Sequence, residues 1–518
     1  MRFDRKKSKY YFLSFLKHDF KASITVFFVA LPLCLGISLA SGAPVYSGLI
    51  AGILGGLLVS LISGSQLSVS GPAAGLTAIC AAAISELGGF EIFLLSVIIA
   101  GILQIILGIL KLANFTHLIP TSVIKGMLTA IGLILISKQI PLIIGYNKPD
   151  FWTGALFNIF TFNHAFQNVD NLYHSISAGV ITLSLISLFI LNGWKKWVTP
   201  KIPLIPSSFV TVLFGALLAI IFQSTKLLYF SSENFVSIPQ NVFSELHFPD
   251  LESIFDNTKI WKYAIIITIV ASLETLLGLE AIDKLDPQNR ITPQNKELIA
   301  QGCGNVVSGL TGGLPITAVI VRASANAEAG ARTKLSSFTH GVWLLISLLV
   351  AIPLINHIPY CVLAVILLRT GYNLAKPTMI RQVYRQGKEQ FLPFLITVIA
   401  ILLTDLLIGV LIGIIYSIYF LIRHTYRAGF TVKEFSDGHT RHYKIELALN
   451  VSFLNKKRIR ELLDSLHEYS IVEIDGSDSV YIDHDILEIF QEFKSKAHLR
   501  HIQLLLKNIP EVQIIELH

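Results

Sequence analysis

The sequence predicts an α-helical polytopic membrane protein of about fourteen spanning segments, followed by a small α/β domain. Three observations carry this prediction. Of the 518 residues, 53% are hydrophobic and only 14% are charged, whereas a soluble protein carries about 25% charged residues. Apolar runs of about 17–25 residues, the length that crosses a bilayer, recur along the first 425 positions. From about position 428, short strands alternate with helices, which is typical of an α/β domain.

Hydrophobicity places the spanning segments along the chain. Ten clear apolar segments lie near 22–40, 45–63, 91–112, 123–144, 174–192, 204–222, 261–281, 337–355, 358–372 and 391–422. Two weaker segments, near 68–85 and 296–325, are rich in Gly, Ala, Ser and Pro. The last clear run is long for one helix, so we expect two helices with a tight turn near Asp405, which caps one of them.

The charged residues of the loops predict the orientation of the chain. Three basic loops fall on the same side as the basic N-terminus. Two of them carry Lys195, Lys196, Lys201, Arg332 and Lys334, and the third, "NLAKPTMIRQVYRQGKEQ", carries four basic residues. By the positive-inside rule this side is the cytoplasm, and the long loops 145–172 and 223–260 lie outside. We therefore expect a multi-pass protein of the cell (inner) membrane with both termini cytoplasmic.

Domain bounds follow from these segments. We expect a cytoplasmic N-terminal segment 1–20, a transmembrane domain 21–427 and a cytoplasmic domain 428–518. The transmembrane domain divides into repeats of about 21–223 and 260–425.

Charge and cysteine content exclude several classes of function. The net charge of +7 is scattered over loops and does not form a nucleic-acid surface. The four cysteines, Cys34, Cys80, Cys303 and Cys361, all fall in apolar segments without metal-ligand spacing and are expected to be buried small hydrophobes. Since no nucleophile–base pair, metal cluster or phosphate loop occurs at a useful spacing, the sequence predicts neither an enzyme nor a bound cofactor.

The two weak segments carry the main functional prediction. "LSVSGPAAGLTA" in the first half and "LTGGLPITAVIVRA" in the second each break an apolar run with Gly and Pro. Such a matched pair is typical of inverted-repeat transporters, and a half-helix N-terminus attracts an anion through unpaired N–H groups and its dipole. The expected donors are the backbone amides of Ala73, Ala74, Gly75, Ile316, Thr317 and Ala318. Close packing of small residues is the alternative interpretation.

Charged residues inside the apolar segments are further candidates. Glu274 lies deep in its segment, so either it stays protonated or it binds a coupling H⁺ or Na⁺. Gly278, one turn further, would admit ligand or backbone. Arg322 would either attract the anion or anchor its helix at the interface by snorkelling. Three residues receive structural interpretations: we expect Gln139 to form an interhelical hydrogen bond, and Glu280 and Asp283 to be interfacial.

The quoted segments, with "VALPLCLGISLASGAPVYSGLIAGI", "GGLPITAVIVRASANAEAGARTKLS" and the C-terminal domain, resemble the sulfate permease (SulP) family of anion transporters. The resemblance covers nearly the whole chain. It implies fourteen segments in a seven-plus-seven inverted repeat with core and gate domains. It further implies a cytoplasmic STAS domain, named for sulfate transporters and anti-sigma-factor antagonists, and a homodimer.

The resemblance also implies roles for particular residues. The anion would lie between the third and tenth segments, at Ala73 and its neighbours and at Ile316 to Ala318, and Glu274 would match the acidic residue that holds the cation site. Gly278 stands where the sodium-dependent bicarbonate branch has a threonine, which leaves H⁺ coupling open. Leu33 replaces a glutamine that many members carry, so one polar contact to the anion is absent.

The C-terminal domain departs from the family pattern at one loop. Related antagonist domains carry a phosphorylatable serine in an Asp-Ser-Ser-Gly-like loop. Here Asp483 is followed by His484 and Asp485. We therefore predict no serine phosphorylation at this loop, and a phosphate on Ser477 or Ser479 would mean that regulation has moved nearby.

These observations predict a secondary active transporter of a small inorganic anion, sulfate or bicarbonate, in the lipid bilayer. Alternating access would expose the site to each side, and Glu274 would couple transport to H⁺ or Na⁺. An uncoupled exchanger or channel, and a dicarboxylate transporter, are alternatives on the same fold. The style of the segment "SLETLLGLEAIDKLDP" resembles a bacterial branch associated with carbon dioxide handling and favours bicarbonate.

Overall fold

The structure is a computed structural model. It describes residues 5–113, 120–145, 177–198, 205–224, 228, 230–240, 245–254, 257–404, 406–427, 429–437 and 440–510. Two compact units divide the chain, Met1–Gly413 and Ile414–His518. Asp405 and most of the loop 145–172 lie outside the described residues, so the expectations placed on them stay predictions.

Helices dominate the first half of the chain. In order they are α1 (Arg5–Ala40), α2 (Val45–Leu54), α3 (Thr77–Leu87), α4 (Phe90–Ile109), α5 (Thr121–Ile144), α6 (Ala178–Gly193) and α7 (Ser207–Gln223). The helical path of α2 continues through a π-helical turn, Gly55–Val59, and a short helical piece, Ser60–Ile62. A three-residue strand, β1 (Ser70–Pro72), and a 3₁₀ turn, Ala74–Leu76, precede α3.

The second half repeats this order. Its helices are α8 (Lys259–Asp283), α9 (Gln294–Leu310), α10 (Ile320–Glu328), α11 (Leu335–Val350), α12 (Tyr360–Leu374), α13 (Pro377–Arg385), α14 (Lys388–Leu403) and α15 (Leu406–Arg427). A second three-residue strand, β2 (Ile316–Ala318), precedes α10. The weak segment predicted as one unit over 296–325 is therefore two elements, because Gly312 takes a positive φ of 78° after α9 ends. The predicted division of the run 391–422 is confirmed by α14 and α15.

Proline sets the start of several of these helices. Pro120, Pro206, Pro293 and Pro359 stand immediately before α5, α7, α9 and α12, each with an extended backbone. Proline has no N–H to donate and a fixed φ, so it is tolerated at a helix start and disfavoured in its interior.

The helices fit a multi-pass membrane protein with a seven-plus-seven repeat. Within the described residues, seven helices are long and apolar enough to cross a membrane, and Ala74–Leu87, Ser207–Gln223 and Leu335–Val350 are shorter apolar helices. Of the numbered helices in the described part of the chain, each half has seven when the short helix α13 is set apart. In each half the helix that follows a short strand is the third one, α3 in the first and α10 in the second. The predicted fold class is confirmed.

The helices of the first unit pack into two bundles. In the first bundle, α1–α4 pack with α8–α11; in the second, α5–α7 pack with α12 and α14. Glycine allows the closest helix pairs in both. Gly101 of α4 faces Gly302 of α9, and Gly132 of α5 faces Gly371 of α12, and each side chain added there would meet backbone atoms.

The second unit contains an α/β domain. Its sheet has the order β3 (Phe430–Asp437), β4 (Thr440–Leu447), β6 (Ser470–Asp475) and β8 (Gln503–Lys507), antiparallel at β3–β4 and parallel thereafter. A two-stranded parallel sheet pairs β5 (Asn450–Val451) with β7 (Tyr481–Ile482). The helices α16 (Lys456–Ser465) and α17 (His484–Lys496) bury Ile459, Ile486 and Phe490 against the sheet residues Val472 and Ile474. The alternating burial of β6 shows why this sequence forms a strand.

Candidate functional site

The two broken segments meet in a short antiparallel ladder. Ser70 pairs with Ala318, Gly71 with Thr317 and Pro72 with Ile316, and every one of these residues is buried. From this ladder the chain turns into α3 on one side and α10 on the other. The sequence-predicted residues on the two strands are thus brought together, and Ala73, Ala74 and Gly75 follow directly after β1.

Side chains from α8 and α9 hold β2 in place. The Ile316 amide donates to Asn305 Oδ1 at 2.6 Å, and Asn305 Nδ2 donates to the Ile316 carbonyl at 3.2 Å and to Gln104 at 2.7 Å. The Ala318 amide donates to Thr275 Oγ1 at 3.2 Å. These two amides are therefore occupied, and the Thr317 amide is used by the ladder pair with Gly71. The expectation that all three amides of β2 are available to the anion is corrected. The Thr317 hydroxyl is buried and has no hydrogen-bond partner in the described part of the chain.

One face of α9 also supports β1. Gln301 Nε2 donates to Ser70 Oγ at 2.8 Å and to Glu297 Oε1 at 3.0 Å, while Ser63 Oγ donates to Glu297 Oε2 at 2.5 Å. Glu297, Gln301 and Asn305 recur every fourth residue, so they share one helix face. Our sequence reasoning missed them, although this spacing of polar side chains inside a weakly apolar segment was a usable signal.

Glu274 faces the start of the first broken helix. A Cβ built on Gly75 would lie 2.9 Å from Glu274 Oε2 and 3.0 Å from Oε1, so only glycine leaves room for the carboxylate there. Glu274 Oε2 is buried and accepts no hydrogen bond from any described residue. A carboxyl group with an unused oxygen at this depth is suited to carrying a proton or a cation.

The space beside Gly278 is filled by the backbone of β2 rather than left open. A Cβ built there would lie 3.1 Å from the Ala318 carbonyl oxygen. This close approach of β2 to α8 complements the hydrogen bond from Ala318 to Thr275 on the same helix. Of the two readings of Gly278, admission of ligand or of backbone, the geometry favours backbone.

Arg322 lies at the centre of the site. It is completely buried, so the alternative that it anchors α10 at the membrane interface is wrong. Its Nη2 approaches Cys34 Sγ at 3.4 Å and the Pro72 carbonyl at 3.5 Å. Its Nε and Nη1 donate to no described residue. The guanidinium packs against the backbone of Gly71, where a side chain would collide with it. Arg322 therefore brings unused donors and a positive charge to the ladder.

The remaining sequence-predicted residues lie outside this arrangement. Gln139 is fully buried, but its amide makes no hydrogen bond within the described residues, so the predicted interhelical bond is not observed. Glu280 is exposed, as expected for an interfacial residue. Asp283 accepts from the amide and hydroxyl of Thr292 at 2.8 and 2.6 Å and fixes the loop between α8 and α9. Leu33 is buried on α1.

The loop of the C-terminal domain uses its polar residues structurally. Asp483 caps α17 by accepting from the Asp485 amide at 3.1 Å, and Asp485 pairs with Lys456 at 3.1 Å. On the neighbouring strand end, the Ser477 hydroxyl donates to Asp475, and with the Ser477 amide and Lys507 it lowers the pKa of Asp475 to about 2. The prediction about phosphorylation is not tested by this geometry.

Known proteins share this sequence and fold. The family model described as the sulfate permease family matches residues 16–400. The putative sulfate transporter YvdB of Bacillus subtilis is 28% identical over 376 residues, which are 73% of this chain and 68% of YvdB. The bicarbonate transporter BicA of Picosynechococcus is 27% identical over 401 residues, which are 76% of this chain and 67% of BicA.

A solved structure extends the likeness. The murine anion transporter Slc26a9 in its inward-facing state superposes with a TM-score of 0.76 at 17% identity, covering 96% of this chain and 86% of that one. This similarity shows the fold over nearly the whole length. The two sequence relatives are named for different oxyanions.

Proposed function

Because the chain belongs to the sulfate permease family of anion transporters, we propose that it is a secondary active transporter of sulfate or bicarbonate. It is a transporter rather than an enzyme, as its relatives are. One observation carries the proposal: the two broken segments pair antiparallel beside an arginine with unused donors. The two helix dipoles alone do not distinguish one oxyanion from another, so the uptake experiment below identifies the substrate.

The anion is proposed to bind between the starts of α3 and α10. Its donors would be the amides of Ala73 and Ala74, the hydroxyl of Thr317 and the guanidinium of Arg322. The Gly75 amide would contribute only when Glu274 releases it. Ile316 and Ala318 would shape the site through backbone that is already hydrogen-bonded. Positive helix ends and an unneutralised cation both lower the energy of a buried anion.

Glu274 is proposed to carry the coupling H⁺ or Na⁺. Its carboxylate faces Gly75, so charge on Glu274 acts directly on the anion site. An ionised Glu274 disfavours an anion nearby, and protonation or Na⁺ binding removes that repulsion. Anion and cation would then bind together, which is the requirement of symport. Gly278 offers no side-chain ligand to the cation.

Alternating access is proposed to arise from movement between the two bundles. The site belongs to the first bundle, whereas α5, α12 and α14 form the second. Rocking of one bundle against the other would open the site to each side in turn. We further propose that both termini are cytoplasmic, that the protein lies in the cell (inner) membrane and that it forms a homodimer.

Uptake into proteoliposomes tests the proposal. Purified protein would be given labelled sulfate or labelled bicarbonate with an inward Na⁺ gradient, an inward H⁺ gradient or neither. We expect accumulation of one anion with one gradient. Flux without accumulation would instead show an uncoupled exchanger or channel. Uptake of a labelled dicarboxylate in preference to both anions would identify the other alternative.

A further inference from the structure

A second cation inside a membrane segment belongs to the other bundle and lies on a helix, α5, that contacts the first broken segment. Lys138 is on α5, six residues before this helix ends at Ile144. It is only partly accessible. An ammonium group inside a membrane segment is costly and marks a functional position by default.

The face of α5 that carries Lys138 is a buried face. Met127, Ile131 and Leu135 precede Lys138 at spacings of four, four and three residues, and each of them is at most 2% exposed. The outward-facing residues of the same region, Leu133 and Ile140, are 38% and 47% exposed. Lys138 is therefore not on the face of α5 that is open to surrounding lipid.

This face is turned away from α12 and α14, which pack on α5 in its own bundle. Gly126, which contacts α14, lies twelve residues before Lys138, or about 120° around the helix. Gly132 and Ile136 pack against Gly371 of α12. Lys138 follows Ile136 by two residues, which is about 200° around the helix at 3.6 residues per turn. Its side chain is therefore directed away from α12. On the remaining side, α5 approaches α3 and the turn Ala74–Leu76 of the first bundle.

The approach of α5 to α3 brings Lys138 toward Cys80. This thiol is on the first turn of α3 and interacts electrostatically with Lys138 and with Glu274. Lys138 makes no ion pair with an acidic side chain of the described residues. A cation without an acidic partner among the described residues thus lies on the side of α5 that approaches α3, whose Cys80 follows Gly75 by five residues.

We propose that Lys138 is an anion-contacting residue, which the second bundle contributes to the transport path. The inference rests on the proposed function and adds a charge from the bundle opposite the site. The anion would pass between α3 and α5 and supply the negative charge that Lys138 lacks. Because the two bundles move relative to each other, this contact would form in one state of the cycle and be released in the other.

Substitution on α5 tests the charge. In Lys138→Met the apolar stem is kept and the charge is lost, whereas Lys138→Arg keeps the charge. For the Met variant we expect an approximately tenfold rise in the half-saturating anion concentration, about 1.4 kcal/mol, with the Arg variant near wild type. Lys125→Met, at the other end of α5 and on another face, is the matched control and should change little. Wild-type affinity in Lys138→Met would overturn the inference.

Chemical modification separates charge from packing. Lys138→Cys would be made together with Cys80→Ser, and treated with an aminoethyl or a sulfonatoethyl thiosulfonate. The first reagent rebuilds an ammonium and should restore affinity, whereas the second adds a negative charge and should not. Equal effects of both reagents would assign Lys138 a packing role only. Reagent-treated Cys80→Ser protein with Lys138 intact controls for the other cysteines.

Binding is measured beside uptake, so that the two proposals fail separately. Sulfate and bicarbonate should raise the Tm of the purified wild type, and raise it less in Lys138→Met. A rise in Tm without uptake would contradict the proposed transport. The Tm shifts of wild type and Lys138→Met would still show whether Lys138 contacts the anion. A wild-type protein that neither binds nor takes up either anion would overturn both proposals.

Discussion

The segment of β1 and α3 and the segment of β2 and α10 share one backbone plan but differ in what surrounds them. Two amides of the second segment are tied to side chains, Ile316 to Asn305 and Ala318 to Thr275. In the first segment, Gly75 instead faces a carboxylate that has an unused oxygen. The charges differ as well, because Arg322 belongs to the second segment and Glu274 lies against the first.

The two segments therefore have different roles, whereas two identical repeats would contribute equally to the site. The second segment is held by side-chain hydrogen bonds and brings a positive charge, which suits binding of the anion. The first segment lies against a titratable group, which suits control of binding by a coupling ion. Pseudo-symmetry of the backbone therefore does not imply equal roles, and substitutions on each side should give different defects.

Replacement of Arg322 should have the largest effect on binding of the anion. In Arg322→Met the cation and its unused donors are lost, and at about 1.5–3 kcal/mol for a hydrogen bond to a charged group uptake should fall by about 100-fold. The Tm should not fall, since replacing a buried unpaired charge by an apolar side chain is often neutral or stabilising. Uptake under all gradients and the Tm in detergent are the measurements.

Arg332 provides the matched control for Arg322. Its contact with Asp19 is made by its backbone amide, so Arg332→Met should retain transport. Transport by Arg322→Met at the wild-type rate would mean that the guanidinium only ties β1 to α10. Arg322→Lys should recover part of the activity, because a lysine keeps the charge without the planar fork of donors.

Replacement of Glu274 should separate coupling from binding. Glu274→Gln resembles the protonated group, so the anion should still bind and exchange across the membrane. Accumulation driven by a gradient should be abolished, because the titratable group proposed to link the two fluxes is lost. Counterflow of labelled anion and gradient-driven uptake are measured side by side. Unchanged accumulation would remove Glu274 from the coupling mechanism.

The sequence predicted the backbone of this site better than its supports. Glycine and proline together revealed both breaks, since Pro lacks an N–H and Gly admits unusual φ values. The burial of Arg322 was harder to predict from the sequence, because whether its side chain snorkels or stays buried depends on how α10 packs on β1. Asn305 and Thr275 were missed because their partners lie on other elements. The four-residue spacing from Glu297 to Asn305 would have identified Asn305 as a residue on the polar face of α9.

A methyl group at Gly75 should have an intermediate effect. Its carbon would lie within 3.0 Å of both Glu274 oxygen atoms, so the carboxylate must move away from the helix start. We expect Gly75→Ala to reduce uptake by about tenfold, or about 1.4 kcal/mol, with normal folding. Gly89→Ala is the matched control, because its backbone is extended and a Cβ there would meet open space. Equal activity of both variants would show that Glu274 need not face α3.

The smallest effect is expected at Thr275, where only the support of the second segment changes. Thr275→Val keeps the shape but leaves the Ala318 amide without an acceptor, at a cost of about 1–3 kcal/mol for an unsatisfied buried donor. The Tm should fall while coupled uptake persists. Thr268→Val, about two turns earlier on α8 by the 3.6-residue period, removes a hydroxyl that only donates to carbonyls of Ala264 and Ala100. A smaller fall in Tm for Thr268→Val would show that the second segment depends on its occupied amides. Equal falls would mean that β2 keeps its position without Thr275, and the contrast between the two segments would then rest on their charges alone.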